Sequence, residues 1–245
     1  MGFYQRISEQ YDNIFPLNRM QIAFVKGAAI RPEEMSVLDV GCGTGELARA
    51  LSEHFARVAG IDLDADMLEA ARDSSAGIGN LSFAQMDMLD IDSEFEEASF
   101  DIVNCFGNTL VHLDSPETIL RFLRSAKHVL KPDGKLLMQI ISYDRILDKD
   151  IRSLPTIDTP EISFIRNYQY DKQNHLIEFE TILTVKSSGQ VIENMIHLYP
   201  LRKGEMDTLL SEAGFSEVSY FGNFKRENYS PDSIPLVVEA VGSLQ

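Results

Sequence analysis

Tryptophan is absent from this 245-residue chain, cysteine occurs only twice, and basic side chains are in clear deficit. Cys42 and Cys105 make no disulfide framework, which excludes a small stapled scaffold and leaves both expected as free thiols. Neither stands at metal-ligand spacing from a histidine, and the histidines form no HExxH, so no metal is expected. No apolar run approaches the roughly 20 residues that span a bilayer. The leading MGFYQRISEQYDN lacks the apolar core of a secretory signal, and Arg6 stands where N-myristoylation needs Ser or Thr. The expected location is the cytoplasm, with no membrane partner. Against 22 Lys and Arg stand 38 Asp and Glu, a formal net charge of −16. Such a surface repels phosphate backbones, and no basic cluster denser than Arg202-Lys203 or Lys225-Arg226 offsets it. No nucleic-acid partner is therefore expected, and a small neutral or cationic ligand is easier to accommodate. Internal repeats are also missing, which excludes a solenoid.

What is present is a balanced globular composition, 44% hydrophobic and 24% charged. From about Ser36 to Ile141 short apolar runs alternate with helical patterns, as parallel βαβ units do. Val37–Val40 reads as a strand ending in the turn Gly41-Cys42-Gly43-Thr44-Gly45, followed by Leu47, Ala48 and Leu51 at helical spacing. Val58–Ile61 is a second strand ending at Asp62, and Asp64 suits the N-cap of the next helix. Further strands are expected at Leu81–Gln85, Phe100–Asn104 and Lys135–Ile141, with an amphipathic helix from Ile119 to Leu130. Ile162–Tyr170, Leu176–Val185 and Val191–Tyr199, joined by tight polar turns, read as a three-stranded antiparallel meander. A helix around Met206–Ala213 and strands at Val218–Phe221 and Leu236–Val241 complete the pattern. The fold expected is α/β: a Rossmann-like seven-stranded sheet of order 3-2-1-4-5-7-6, helices on both faces, and an antiparallel insertion after strand five. On this reading residues 1–142 and 200–245 form the ligand-binding domain, capped by a helical lead over 1–30. Residues 143–199 form a roof over the acceptor site.

A glycine-rich turn between strand and helix brings bare backbone close to a ligand at the carboxyl edge of a parallel sheet. Here the glycines are 41, 43 and 45. The GxGxxG of dinucleotide folds would need a third glycine at position 46, where Glu46 stands. Asp39 lies two residues before the first glycine, a position that suits a ligand ammonium and suits a pyrophosphate poorly. Asp62, at the end of the next strand, is placed to accept both hydroxyls of an adenosine ribose.

Val37 through Gly45 resembles the first motif of the class I S-adenosylmethionine-dependent methyltransferases, and Ile61 through Leu68, with Leu63 and Met67, resembles their second. Asp87-Met88 is similar to the pair that meets the adenine amino group and packs on the ring. A narrower resemblance joins Cys105-Phe106-Gly107-Asn108-Thr109-Leu110-Val111-His112-Leu113 to the glycine and sarcosine N-methyltransferases. It continues through Tyr143–Leu147, Tyr199-Pro200 and Gly222–Lys225. The resemblance implies S-adenosylmethionine as cofactor, Phe106 beside its methionine part, His112 at its border and Asn108 facing the acceptor. Cys42 and Cys105 would both end at the cofactor edge. Tyr4 and Tyr11 in the leading segment are placed to edge the sulfonium.

One position departs from the family pattern. The glycine enzymes hold the substrate carboxylate with an arginine at the end of strand five, and Ile141 stands there in this chain. Arg145, one helical turn on, is the nearest replacement. No dedicated base dyad is visible, which favours an amine over a hydroxyl or carbon acceptor. The expectation is a small-molecule methyltransferase acting on nitrogen. A tRNA or protein methyltransferase and a non-catalytic cofactor-binding module are the competing readings.

Overall fold

The computed structural model describes residues 10–242, and Tyr4 lies outside them. Two short helices, α1 (Tyr11–Ile14) and α2 (Arg19–Ala28), lead into β1 (Ser36–Val40). They are followed by α3 (Glu46–Ser52), β2 (Arg57–Asp62), α4 (Ala65–Ser74), β3 (Leu81–Gln85), α5 (Ile91–Glu94) and β4 (Phe100–Cys105). Then come α6 (Pro116–Val129), β5 (Leu130–Ile141), α7 (Tyr143–Asp148) and four strands, β6 (Ser153–Asp158), β7 (Ile162–Asp171), β8 (Leu176–Val185) and β9 (Gln190–Leu198). The chain ends with α8 (Lys203–Glu212), β10 (Phe215–Phe221) and β11 (Pro235–Gly242).

The main sheet has the order β3-β2-β1-β4-β5-β11-β10, which is the 3-2-1-4-5-7-6 expected from sequence. Strands β1 to β5 pair in parallel, whereas β11 runs antiparallel to β5 and β10 to β11. Every residue of β1 is buried, as a central strand covered on both faces requires. Successive side chains divide between the two faces. Val37, Val58, Ile102 and Leu137 pack with Phe24, Val25 and Leu51 from α2 and α3. Leu38, Val103, Leu136 and Met138 pack with Phe122 and Ala126 of α6 and Met206 and Leu210 of α8.

Helix ends follow local chemistry. Asp64 caps α4 by accepting from the Asp66 and Met67 amides at 3.0 and 3.2 Å. Ser115 and Thr118 close a capping box on α6, with Pro116 in the first turn. The leading segment was expected as helix, and its described part, from residue 10 on, forms helix in two pieces. Pro16 forces Phe15 out of helical conformation (φ −125°, ψ 62°) and ends α1.

The second sheet is antiparallel with the order β6-β7-β8-β9, one strand more than the meander expected. The extra strand, β6, contains Pro155 and pairs with β7 through a register shift between Leu154 and Ile157. That irregularity hides it from a period-two pattern.

Candidate active site

The strand order reverses between β1 and β4, so the loops leaving their carboxyl ends splay apart and open a crevice. There the structure holds a cavity of about 1140 Å³. Its wall is built by the lead segment (Tyr11, Phe15 to Asn18, Met20, Gln21) and by the glycine turn with the start of α3. The ends of β2 and β3, the loop after β4, Gln139 of β5, and the loop Asn223–Lys225 with Ile234-Pro235 complete it.

The turn needs its glycines. Gly41 has φ +71°, and a Cβ there would stand 2.5 Å from the Thr109 methyl. Gly45 has φ +76°, and a Cβ would meet the Phe83 ring at 2.6 Å. Both positions are barred to other residues by backbone and by space. The loop after β1 thereby packs directly against the loop after β4.

Asp39 and Asn104 are register partners on β1 and β4, so their side chains share one face. The Asn104 amide donates to Asp39 Oδ1 at 2.5 Å. Asp39 Oδ2 is buried without a partner, as is Asn104 Oδ1. Burial pushes the Asp39 carboxyl up to about 7, against the lowering effect of the Asn104 bond. Asp62 accepts from the Gly43 amide at 2.8 Å and the Asp64 amide at 3.0 Å, bracing the turn. Its pKa is raised, chiefly by burial.

The lead segment is tied to the same turn. Thr44 donates its hydroxyl to Asp12 at 2.6 Å, and the Leu17 amide donates to Glu46 at 3.1 Å. The Tyr11 ring lies over Gly43, where a Cβ would come within 3.2 Å of it. Burial, then the nearby Asp62, Asp12 and Asp39, push the Tyr11 hydroxyl pKa upward. Elsewhere on the wall burial holds the His112 imidazole down at about 4, and therefore neutral at pH 7.

Of the residues singled out from sequence, Tyr11, Asp39, Gly41, Cys42, Gly43, Asp62, Leu63, Met67, Asp87, Met88, Phe106 and His112 all line this cavity. Gly45 and Cys105 lie behind the wall, and Arg145 does not reach it. Asn108 is not on the wall either. Its amide donates to the Tyr143 hydroxyl at 3.2 Å and its carbonyl accepts from the Ile141 amide at 2.9 Å. These bonds hold the loop after β4 against the end of β5. No residue of β6 to β9 lines the cavity, because α1 stands in front of β7 with Phe15 against the Phe164 ring.

Sequence reading missed Asn104, Gln139 and the Asp12–Thr44 tether. Gln139 accepts from the Gly107 amide at 3.0 Å and so fixes the loop after β4. Asn104 follows the apolar pair Ile102-Val103 and Gln139 interrupts the apolar run Leu136 to Ile141, and that is the available signal. Among the described residues no helix is long and apolar enough to cross a membrane.

The thiols carry a direct expectation. Burial raises both pKa values, with the Asp39 charge adding to it. Cys105 should resist alkylation in the native protein, and the slow labelling of Cys42 should slow further under saturating S-adenosylhomocysteine. Mass spectrometry showing equal labelling of both thiols, with and without that ligand, would count against this geometry.

Comparison with known proteins completes the description. A family model described as a methyltransferase domain matches residues 37–134. The chain is 30% identical over 203 residues to the glycine/sarcosine N-methyltransferase of Aphanothece halophytica, covering 80% of this chain and 71% of that one. A solved S-adenosylmethionine-dependent methyltransferase from Clostridium acetobutylicum matches with a TM-score of 0.82 at 15% identity, over 99% of this chain and 100% of the other. The S-adenosylmethionine-bound amino pentose methyltransferase of calicheamicin biosynthesis from Micromonospora echinaspora matches with a TM-score of 0.68 at 20% identity, over 92% and 90%. At these identities the two structures establish the fold alone.

Proposed function

The chain belongs to the class I S-adenosylmethionine-dependent methyltransferases, and from that premise we propose that it methylates the nitrogen of a small-molecule amine. The observation that carries this reading is the chemistry of the cavity wall. Among the described residues it presents Asp39, Glu46, Asp62, Asp64 and Asp87 against Lys225 as its one Lys or Arg. A wall of that sign favours a cationic cofactor and an amine, and disfavours a polyanion.

The residues fit S-adenosylmethionine. The buried, unpartnered Oδ2 of Asp39 is an acceptor suited to an ammonium group. Asp62 would take the ribose hydroxyls, Asp87 and Met88 the adenine, and Phe106 the methionine chain. When bound, the cofactor supplies an electrophilic methyl group on a sulfonium with a good leaving group. The protein's own part is alignment and exclusion of water, and alignment can supply about 7–11 kcal/mol. Tyr11 and His112 would flank the path of the acceptor.

A hydroxyl acceptor needs a base, and neither flanking residue serves as one. An imidazole held near 4 is a weak proton acceptor at neutral pH, and a phenol pushed upward stays protonated. A neutral amine brings its own lone pair. The relative from Aphanothece halophytica, by its name, acts on nitrogen. The test is transfer of label from S-adenosylmethionine to a panel of small amines and their matched alcohols. Label should enter amines; label entering only the alcohols would overturn the reading.

A further inference from the structure

The face of β7–β9 that turns inward is apolar at both ends and polar in the middle. At one end Phe164, Leu183 and Ile192 pack with Ile14 and Tyr11 of the lead segment. At the other, Tyr168, Phe179 and Ile196 join the cluster containing Leu110 and Val111, next to His112. Between them Arg166, Thr181 and Asn194 are direct register partners across the three strands, so their side chains stand in one row on that face.

Each member of the row has a polar atom without a hydrogen-bond partner: Arg166 Nε, Thr181 Oγ1 and Asn194 Nδ2. Thr181 is 1% exposed and Asn194 9% exposed. One Arg166 Nη donates to the Pro155 carbonyl at 2.6 Å, and the guanidinium carbon lies 5.9 Å from the Phe164 ring centroid. No carboxylate is paired with Arg166 among the described residues. A single unsatisfied buried group is a packing compromise; three adjacent ones, rich in donors, form a pattern that a ligand would explain.

We propose that Arg166, Thr181 and Asn194 form an oxyanion subsite for the methyl acceptor, taking a carboxylate or phosphate set apart from the methylated nitrogen. The row lies off the cofactor cavity's wall, behind α1, between the cluster that holds Tyr11 and the cluster that holds Leu110 and Val111, so the acceptor's anionic end would extend from the cavity past α1 to reach it. Position 141 offers an isoleucine, so an anionic acceptor needs its cation elsewhere. Arg166 is that cation, and its planar fork suits both anions. The subsite presupposes the acceptor reading given above.

The test titrates acetate and methyl phosphate, separately, into protein saturated with S-adenosylhomocysteine, following binding by NMR. Wild type should bind one of the two, and which one names the source of the oxyanion. Arg166→Met should weaken that binding at least about tenfold, and Thr181→Val or Asn194→Leu about three- to tenfold. Thr181→Val should leave thermal stability equal or higher, since it removes an unsatisfied buried hydroxyl. S-adenosylhomocysteine affinity should stay within about twofold in all three variants. If neither anion binds wild type, or the variants bind it equally well, the row is a structural or hydrated polar seam and the subsite is refuted. Wild type that fails to bind S-adenosylhomocysteine would overturn the functional reading, and the subsite would fall with it.

Discussion

Asp62→Ala is expected to raise the dissociation constant for S-adenosylhomocysteine about a hundredfold, a loss of about 3 kcal/mol. Two contributions add. The carboxylate would accept both ribose hydroxyls, and hydrogen bonds to a charged group are each worth about 1.5–3 kcal/mol. It also braces the glycine turn through the Gly43 amide at 2.8 Å. Truncation removes the acceptor and loosens the backbone that must approach the cofactor. Calorimetry reads the effect directly, and an affinity within about threefold of wild type would remove Asp62 from the site.

Asp39→Asn is expected to move stability and binding in opposite directions. In the folded protein the Asp39 carboxyl is pushed up to about 7 by burial, whereas an unfolded aspartate titrates near 4. For a group whose folded pKa is raised, the stabilising contribution is complete below the unfolded pKa. It declines as pH rises toward 7 and is gone above it. At pH 8 the ionised, buried carboxylate therefore costs on the order of 4 kcal/mol in the ligand-free protein. Asparagine keeps the shape without the charge. The variant should melt higher than wild type at pH 8, with the difference vanishing below about pH 4. It should also bind S-adenosylmethionine at least about tenfold more weakly, because the partner of the ammonium is lost. In wild type, cofactor affinity should rise with pH between about 6 and 8, as Asp39 ionises more readily. A variant that melts lower at pH 8 and binds the cofactor normally would contradict the role given to this carboxylate.

These two residues were legible in the sequence because their positions are set locally. Asp39 sits on the strand entering the glycine turn and Asp62 at the end of the next strand, so motif spacing alone brings them to one edge. The order of the main sheet was legible for a related reason: parallel strands joined by helices admit few topologies. What escaped depends on pairing between distant segments. Asn104 reaches Asp39 only through the β1–β4 register, 65 residues away in sequence. The row of Arg166, Thr181 and Asn194 exists only once three strands are aligned. In the sequence each of the three is one more polar residue in an alternating strand. For Asn108 the motif leaves the direction of the side chain open. The resemblance aims it at the acceptor, yet a left-handed backbone (φ 69°) turns its amide onto Tyr143 and Ile141. Pro16 and Pro155 account for the remaining differences, splitting the leading helix and disguising β6.

On the proposed reading the cavity at the β1–β4 switch point, with Tyr11 and His112 on its wall, is where the cofactor would bind. A crystal structure with S-adenosylhomocysteine bound examines it most directly. The ribose is expected on Asp62, the amino group beside Asp39, the adenine against Met88, and the sulfur facing the gap between Tyr11 and His112. A ligand bound outside this cavity, or one whose ribose is turned away from Asp62, would contradict it.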